Sequence, residues 1–348
     1  MLGIETSCDD TACAILDGRG AVLSSVVSSQ LAAHRPYGGV VPEIASREHL
    51  KNWLPVSEEA FERAGLAIGD VDVIAATSGP GLVGSLLVGL SLGRSMAYGL
   101  NRPFQAVHHL EGHLYSPFLD AESGPAEAVP ESFVGLVVSG GHTCLYRVDG
   151  AEITTLAETR DDAIGEAFDK IGKKVGLPYP QGPLVDELAE RGNADAYPLP
   201  VPHGGDPIFF SYSGLKTQTL VTLERICREL GVPMPEELAA GEVPVPEMID
   251  LLASFRKAAV RQILSRVERL HATAPIDLLA VSGGVAANRL LRRELERWAG
   301  EAGVDLRLVP LVYCGDNAAM IAHAALLRHR RGESDDPLEV EARSRVPI

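Results

Sequence analysis

Three histidines fall within six residues in Val107-His108-His109-Leu110-Glu111-Gly112-His113, a segment that reads as a helix start after a short Phe104 to Val107 strand. Residues four apart share a helical face, so His109 and His113 can reach one ion while His108 points elsewhere. Such a pair alone is commonly a surface coincidence, and a metal site needs a third ligand. The best candidate is Asp316 in Val312-Tyr313-Cys314-Gly315-Asp316-Asn317-Ala318-Ala319-Met320, at the end of an apolar strand. Asp316 has a competing role as N-cap of the helix expected to run to about Leu327. Two histidines and a carboxylate with open positions suit one divalent ion acting as a Lewis acid, Fe(II) first, with Zn(II) or Mg(II) as alternatives. Zinc proteases instead place a glutamate directly after the first histidine. Here the acid, Glu111, comes two residues after His109 and roughly 200° around the helix, which weakens a protease reading.

Two further turns carry chemistry. Ser139-Gly140-Gly141 and Ser282-Gly283-Gly284 have the composition of backbone cradles, where N–H groups approach phosphate oxygens because no Cβ intervenes. Either alone is equally well a plain hairpin or strand-to-helix turn; their occurrence in repeat-related lobes favours the cradle. Gly79-Pro80-Gly81-Leu82-Val83-Gly84 satisfies G-x-G-x-x-G, but a dinucleotide site wants an acid about 20 residues later. Leu86 to Leu110 contains none. These glycines, with Gly89 and Gly93, read as permitting close helix-to-strand packing.

The elements that position these residues follow a duplicated plan. Residues 2 to 5, Thr11 to Leu16 and Ala21 to Val27 read as a three-stranded meander. The pattern returns at 134 to 159: shifted by 132, Gly3, Ser7, Thr11, Asp17 and Gly18 fall on Gly135, Ser139, Thr143, Asp149 and Gly150. The stretches from Ile74 and from Leu278 are each an apolar strand, a Ser-Gly turn and a helix, at an offset of 204. The larger offset predicts an insertion in the second half, at about 193 to 248. The expectation is an α/β fold of two actin/Hsp70/sugar-kinase-like lobes facing each other across a cleft. Residues 1 to 120 form the first lobe, completed by a C-terminal helix at about 317 to 348, and 131 to 316 the second.

Composition agrees and narrows the function. With 348 residues, 46% hydrophobic and only 5% aromatic, the chain suits closely packed strands and helices. A net charge of −16 excludes a uniformly basic nucleic-acid binder. Local patches remain at Lys170, Lys173 and Lys174, at Arg289, Arg292, Arg293 and Arg297, and at Arg328, Arg330 and Arg331, although such runs are commonly solvated helix faces. Five cysteines without C-x-x-C spacing, no leader-like start and no long apolar run predict a cytoplasmic protein without a membrane role.

Together GIETSCDDTA, GGVVPEIASREH, TSGPGLVGSLLVG, HHLEGH, VVSGGHT, GEAFDKIGK, YPQGP, FSYSGLKT, SGGVAANR and CGDNAAMIA resemble the TsaD family, the tRNA threonylcarbamoyladenosine enzymes once described as O-sialoglycoprotein endopeptidases. The resemblance implies the two-lobed actin-like fold and His109, His113 and Asp316 as metal ligands. It implies Val137, Val138, Ser139, Gly140 and Gly141 as one wall of the substrate site. Asp169, Gly182, Asp186 and Asn288 would hold the ribose and base of an adenylate. The sequence departs from the family at Gln181, where glycine is common, at Gly315, where threonine is common, and in Cys8-Asp9-Asp10 for a frequent Cys-Asp-Glu. The implied reaction moves threonylcarbamoyl from threonylcarbamoyl-AMP to adenosine N6, with Asp9 or Asp10, on the first meander turn, as candidate proton acceptors. Implied partners are tRNA, a TsaB-like paralogue and a TsaE-like ATPase, and a homodimer is an option. An ATPase or kinase of the same fold, or a non-catalytic scaffold paralogue, are the alternatives. The first has no need of the histidine pair, and the second should have lost it.

Overall fold

The opening residues form the expected meander, β1 (Leu2–Glu5), β2 (Asp10–Leu16) and β3 (Val22–Ser29), antiparallel throughout. This computed structural model describes all residues except 123, 203, 204, 206, 207, 236, 237, 239, 240, 241 and 243. A short helix α1 (Leu31–His34) and the long α2 (Pro42–Ala64) follow. Pro42 starts α2 where its missing N–H costs nothing, and Gly65, with φ +66°, stops it. Then come β4 (Ile74–Gly79), α3 (Val83–Leu100), β5 (Phe104–His108) and α4 (His109–Tyr115). Strand β1 pairs in parallel with β4, and β4 with β5, giving the order β3-β2-β1-β4-β5.

A second unit, Glu131–Leu308, repeats that sheet. Its meander is β6 (Ser132–Val138), β7 (Thr143–Asp149) and β8 (Glu152–Glu158). Helices α5 (Ile164–Lys174), α6 (Gln181–Ala189), α7 (Ser213–Leu230) and α8 (Pro246–Thr273) lead to β9 (Leu278–Ser282), α9 (Arg289–Ala302) and β10 (Asp305–Leu308). The sheet order, β10-β9-β6-β7-β8, is the first order run backwards, so the duplication is one of topology as well as of motif. The expected insertion at 193 to 248 contributes α7 and the start of α8, while part of it lies outside the described residues.

The chain returns to the first unit at Val309, ahead of the position near 317 read from the sequence, so Asp316 and the histidines share a unit. The returning helix α10 (Ala318–Arg330) is buried on all sides from Ala318 to Leu326, and its alanines let it lie close on the sheet. Successive β1 side chains face opposite ways. A Cβ on Gly3 would overlap the Ala318 carbonyl and sit 2.9 Å from Ala322 Cβ, which places α10 on that face. On the other face α3 packs through Gly89 and Gly93, as their spacing predicts. A Cβ on Gly89 would overlap the Thr6 hydroxyl, which accepts from Gly89 N at 3.1 Å and donates to Ser85 O at 2.8 Å.

Gly3→Ala should therefore destabilise the chain by about 1–3 kcal/mol through overpacking, read as a lower urea midpoint. Gly18→Ala, where nothing lies within 4 Å of the added Cβ, is the control and should leave the midpoint in place. Equal midpoints for the two variants would mean that α10 does not press on β1.

Candidate functional site

His109 and His113 lie on one face of α4, as their spacing requires, and both are buried. With Asp316 they offer ligand atoms that all lie within 4.8 Å of one another. Asp316 Oδ1 is 3.2 Å from His113 Nε2 and 3.5 Å from His109 Nε2, and the two rings meet edge to face at 85°. Bonds of about 2.0–2.2 Å to a shared ion put neighbouring donors roughly 3.0–3.6 Å apart, so the donor set fits one metal.

Asp316 is not a helix cap. That role belongs to Asn317, whose Oδ1 accepts from Met320 N at 2.9 Å and whose amide donates to Gly315 O at 2.8 Å. The approach to Asp316 also differs from expectation. It is a 3-10 turn, Leu311–Tyr313, rather than a strand, and the strand β10 stops at Leu308. Pro310 lacks the N–H that continued pairing would need.

Glu5, which the sequence reading passed over, orients the site. Its buried carboxylate lies 3.2 Å from His109 Nδ1 and accepts from Thr77 Oγ1 at 2.6 Å and from Ser7 N. With Nδ1–H donating to Glu5, His109 turns Nε2 toward Asp316, the arrangement by which a carboxylate fixes the tautomer of a metal-binding histidine. Burial alone would lower the His109 pKa, but Asp316 and Glu5 raise it to about 9. Burial alone would raise Glu5, and His109 beside it instead brings it below its ordinary value. Asp10, on the adjoining turn, is pushed up to about 7 by burial and by Asp316, and its Oδ1 is buried without a hydrogen-bond partner. Glu111 takes no part in the cluster. Burial raises it to about 7, against the pull of Arg328 and Arg331.

The second unit holds the other predicted residues. Val137 and Val138 end β6, and Val137 pairs with Ser282 of β9. Gly283 has φ +93°, and a Cβ there would overlap the Val138 carbonyl. The two Ser-Gly-Gly turns thus sit side by side within the bounds expected for the second lobe, rather than in separate repeat-related lobes, because β6 and β9 are adjacent parallel strands. Gly140, Gly141 and Gly284 meet open space, which leaves their backbones approachable. Asp169 Oδ1 accepts from Gln181 N at 3.1 Å and Gly182 N at 2.8 Å, holding the first turn of α6. Asp186 accepts from Arg256 Nη1 at 2.9 Å and from Arg289 N at 3.2 Å, while Asn288 caps α9 through Leu291 N at 3.0 Å. Asp169 meets Gly182, and Asp186 meets the residue after Asn288, but each acid already serves a helix start.

Five of the ten residues in the basic patches form ion pairs within the chain. Lys170 pairs with Asp162 and Glu166, Arg293 with Glu190, Arg297 with Glu294 and Glu301, and Arg328 and Arg331 with Glu333. Lys173 and Lys174 stay exposed at the end of α5 and form no ion pair among the described residues.

A family model described as TsaD, tRNA N6-adenosine threonylcarbamoyltransferase, matches residues 21–323. A protein of that description from Syntrophobacter fumaroxidans is 47% identical over 348 residues, covering 99% of both chains. One from Geobacter sulfurreducens is 46% identical over 352 residues, covering 100% of this chain and 97% of that one. Among solved structures, HypF of T. kodakarensis superposes with a TM-score of 0.59 at 16% identity, over 95% of this chain and 47% of that longer one. That likeness is one of fold.

Asp316→Asn should lower Zn(II) or Fe(II) affinity by at least about 10-fold with little change in stability, because Asn317 retains the cap. Glu5→Gln keeps the ligands but weakens the hold on His109, and an outer-shell change of this kind costs about 10–100-fold in affinity. Metal content per chain and a chelator competition measure both. Full occupancy in Asp316→Asn would reduce the site to a histidine pair.

Proposed function

The chain belongs to the TsaD family of tRNA N6-adenosine threonylcarbamoyltransferases, and we propose that its donor is threonylcarbamoyl-AMP and its acceptor the adenosine next to the anticodon in tRNAs that read codons beginning with A. AMP leaves as the N6–carbonyl bond forms. The observation that carries this reading is the convergence of His109, His113 and Asp316, with Asn317 relieving Asp316 of the capping role.

The donor is a mixed carbonic-phosphoric anhydride and the acceptor an exocyclic amine, a poor nucleophile. His109, His113 and Asp316 would hold one divalent ion, Fe(II) by preference for a two-histidine, one-carboxylate set, with Zn(II) and Mg(II) as alternatives. Bound there, the ion supplies Lewis-acid polarisation of a carbonyl or phosphate oxygen. Glu5 fixes the His109 ring. Gly140, Gly141 and Gly284 offer approachable backbone beside Val137, Val138 and Ser139 for the phosphate. Asp169, Gly182, Asp186 and Asn288 line the place of the ribose and base, where Asn288 retains amide donors after spending its oxygen on the α9 cap. Asp9 and Asp10, on the turn after β1, are the candidates to take the N6 proton.

The protein works with tRNA, a TsaB-like paralogue and a TsaE-like ATPase, and a homodimer is compatible with the reading. A reducing cytoplasm suits its five free cysteines, and no helix among the described residues is long and apolar enough to cross a membrane.

Incubated with its partners, the adenylate and a matching tRNA, the chain should yield threonylcarbamoyladenosine by mass spectrometry, with AMP released in equal amount. Failure of both products to appear would remove the proposed donor. Lys173→Glu with Lys174→Glu should weaken tRNA binding and flatten its salt dependence; an unchanged salt slope would take the α5 lysines out of the tRNA contact.

A further inference from the structure

The turn that carries Asp9 and Asp10 is held from outside by three successive carbonyls. Ser7 O accepts from Leu82 N at 2.8 Å, Cys8 O from His49 Nε2 at 3.0 Å, and Asp9 O from Gln30 N at 3.0 Å. Two of these donors, His49 and Gln30, belong to one buried network. A carbonyl can only accept, so His49 carries its proton on Nε2 and its Nδ1 must accept. It does so from Thr11 Oγ1 at 2.8 Å and Gln30 Nε2 at 3.1 Å. Gln30 Nε2 also faces Ala45 O at 3.3 Å, and its Oε1 accepts from His34 Nε2 at 3.2 Å. His34 Nδ1 in turn accepts from Val41 N at 3.2 Å, just ahead of α2. The donor direction is therefore set at every link from Val41 to Cys8. His34 and His49 are fully buried and Gln30 nearly so, away from water that could offer substitute partners.

The mechanism above uses none of these side chains. A network of this completeness does more than fill space, because it clamps the one loop that brings two acids toward the metal ligands. The same loop is tied to the cluster directly, through Ser7 Oγ at 3.2 Å from His109 Nδ1. We propose that His49 is a positioning residue of the transfer site: its Nε2–H holds the Cys8–Asp10 turn so that Asp9 and Asp10 keep their place beside His109 and Asp316. The proposal rests on the transferase reading only for its kinetic consequence; the hold on the turn is a property of the free chain.

His49→Leu removes the donor to Cys8, and His49→Gln restores one at the position of Nε2. In the full chain, peptide-level hydrogen exchange over the Thr6–Thr11 stretch should speed up about 10-fold or more in His49→Leu and return to near the original rate in His49→Gln. Single-turnover transfer should show kcat falling about 10–100-fold in the leucine variant, as expected for misplacement of a group near 1 Å. KM for the adenylate and metal content per chain should stay put, and glutamine should restore most of the rate. Gln30→Leu, which loses the donor to His49 Nδ1 but keeps its backbone N–H on Asp9, reads the same coupling should His49→Leu fail to fold. Unchanged exchange over the turn in these variants would overturn the proposal. So would loss of metal and of thermal stability in step with activity without rescue by glutamine, since that is the signature of a purely structural histidine. If the unaltered chain transfers nothing from the adenylate, the donor assignment falls, while the exchange measurement still decides whether His49 holds the turn.

Discussion

Two carboxylates, Glu5 and Asp316, flank the His109 ring, and the surrounding structure is built to contain their charge. Glu5 is fully buried and spends its oxygens on Ser7 N, Thr77 Oγ1 and His109. Asp316 faces both imidazoles, 3.5 Å from His109 Nε2 and 3.2 Å from His113 Nε2. Two carboxylates, one buried and one half-buried, around a single imidazole favour positive charge between the rings and Asp316. A proton on His109, whose pKa the two acids raise to about 9, is one answer; a divalent cation held by His109, His113 and Asp316 would be another.

The fold can be understood as the means of holding those groups still. Glu5 ends β1, His109 opens the helix after β5, and Asp316 precedes α10, so three crossings of the first unit meet at one place. Parallel pairing of β1, β4 and β5 brings two of them to the same end of the sheet. The third arrives because α10 is apolar and small-residued enough to be buried on all sides against β1, where Gly3 makes room. Ala318 and Ala322, which lie against Gly3, thus help to set the position of Asp316 as well as filling the core.

Much of this was legible in the chain. The meander repeated with a constant shift, and the helix-period histidines and the glycines of α3 each follow from local spacing, which is what periodicity records. What escaped was whatever depends on distant partners. Glu5 reads as the last residue of a short apolar strand, since its contact with His109 spans 104 positions. His49 has no assigned role in the sequence, and only the fold brings it to Cys8, 41 positions away. That the two Ser-Gly-Gly turns are neighbours was missed for the same reason: adjacency of β6 and β9 is a fact of sheet order, not of sequence interval.

Asp316 shows how a competing explanation is removed by chemistry rather than by resemblance. An acid one residue before a helix has an ordinary reason to be there, and Asn317 beside it has the same reason. Only one of them can sit at the cap. The structure gives that position to the asparagine, whose amide can also donate back to Gly315 and Tyr313, three hydrogen bonds in all, which a carboxylate cannot match. The division of labour between Asp316 and Asn317 follows from this difference: the neutral amide closes the helix and the anionic oxygen is left to face the histidines. Exchanging the two residues would keep the composition and an acceptor for Met320 N, but would lose the two amide donations and the anionic oxygen that faces the histidines.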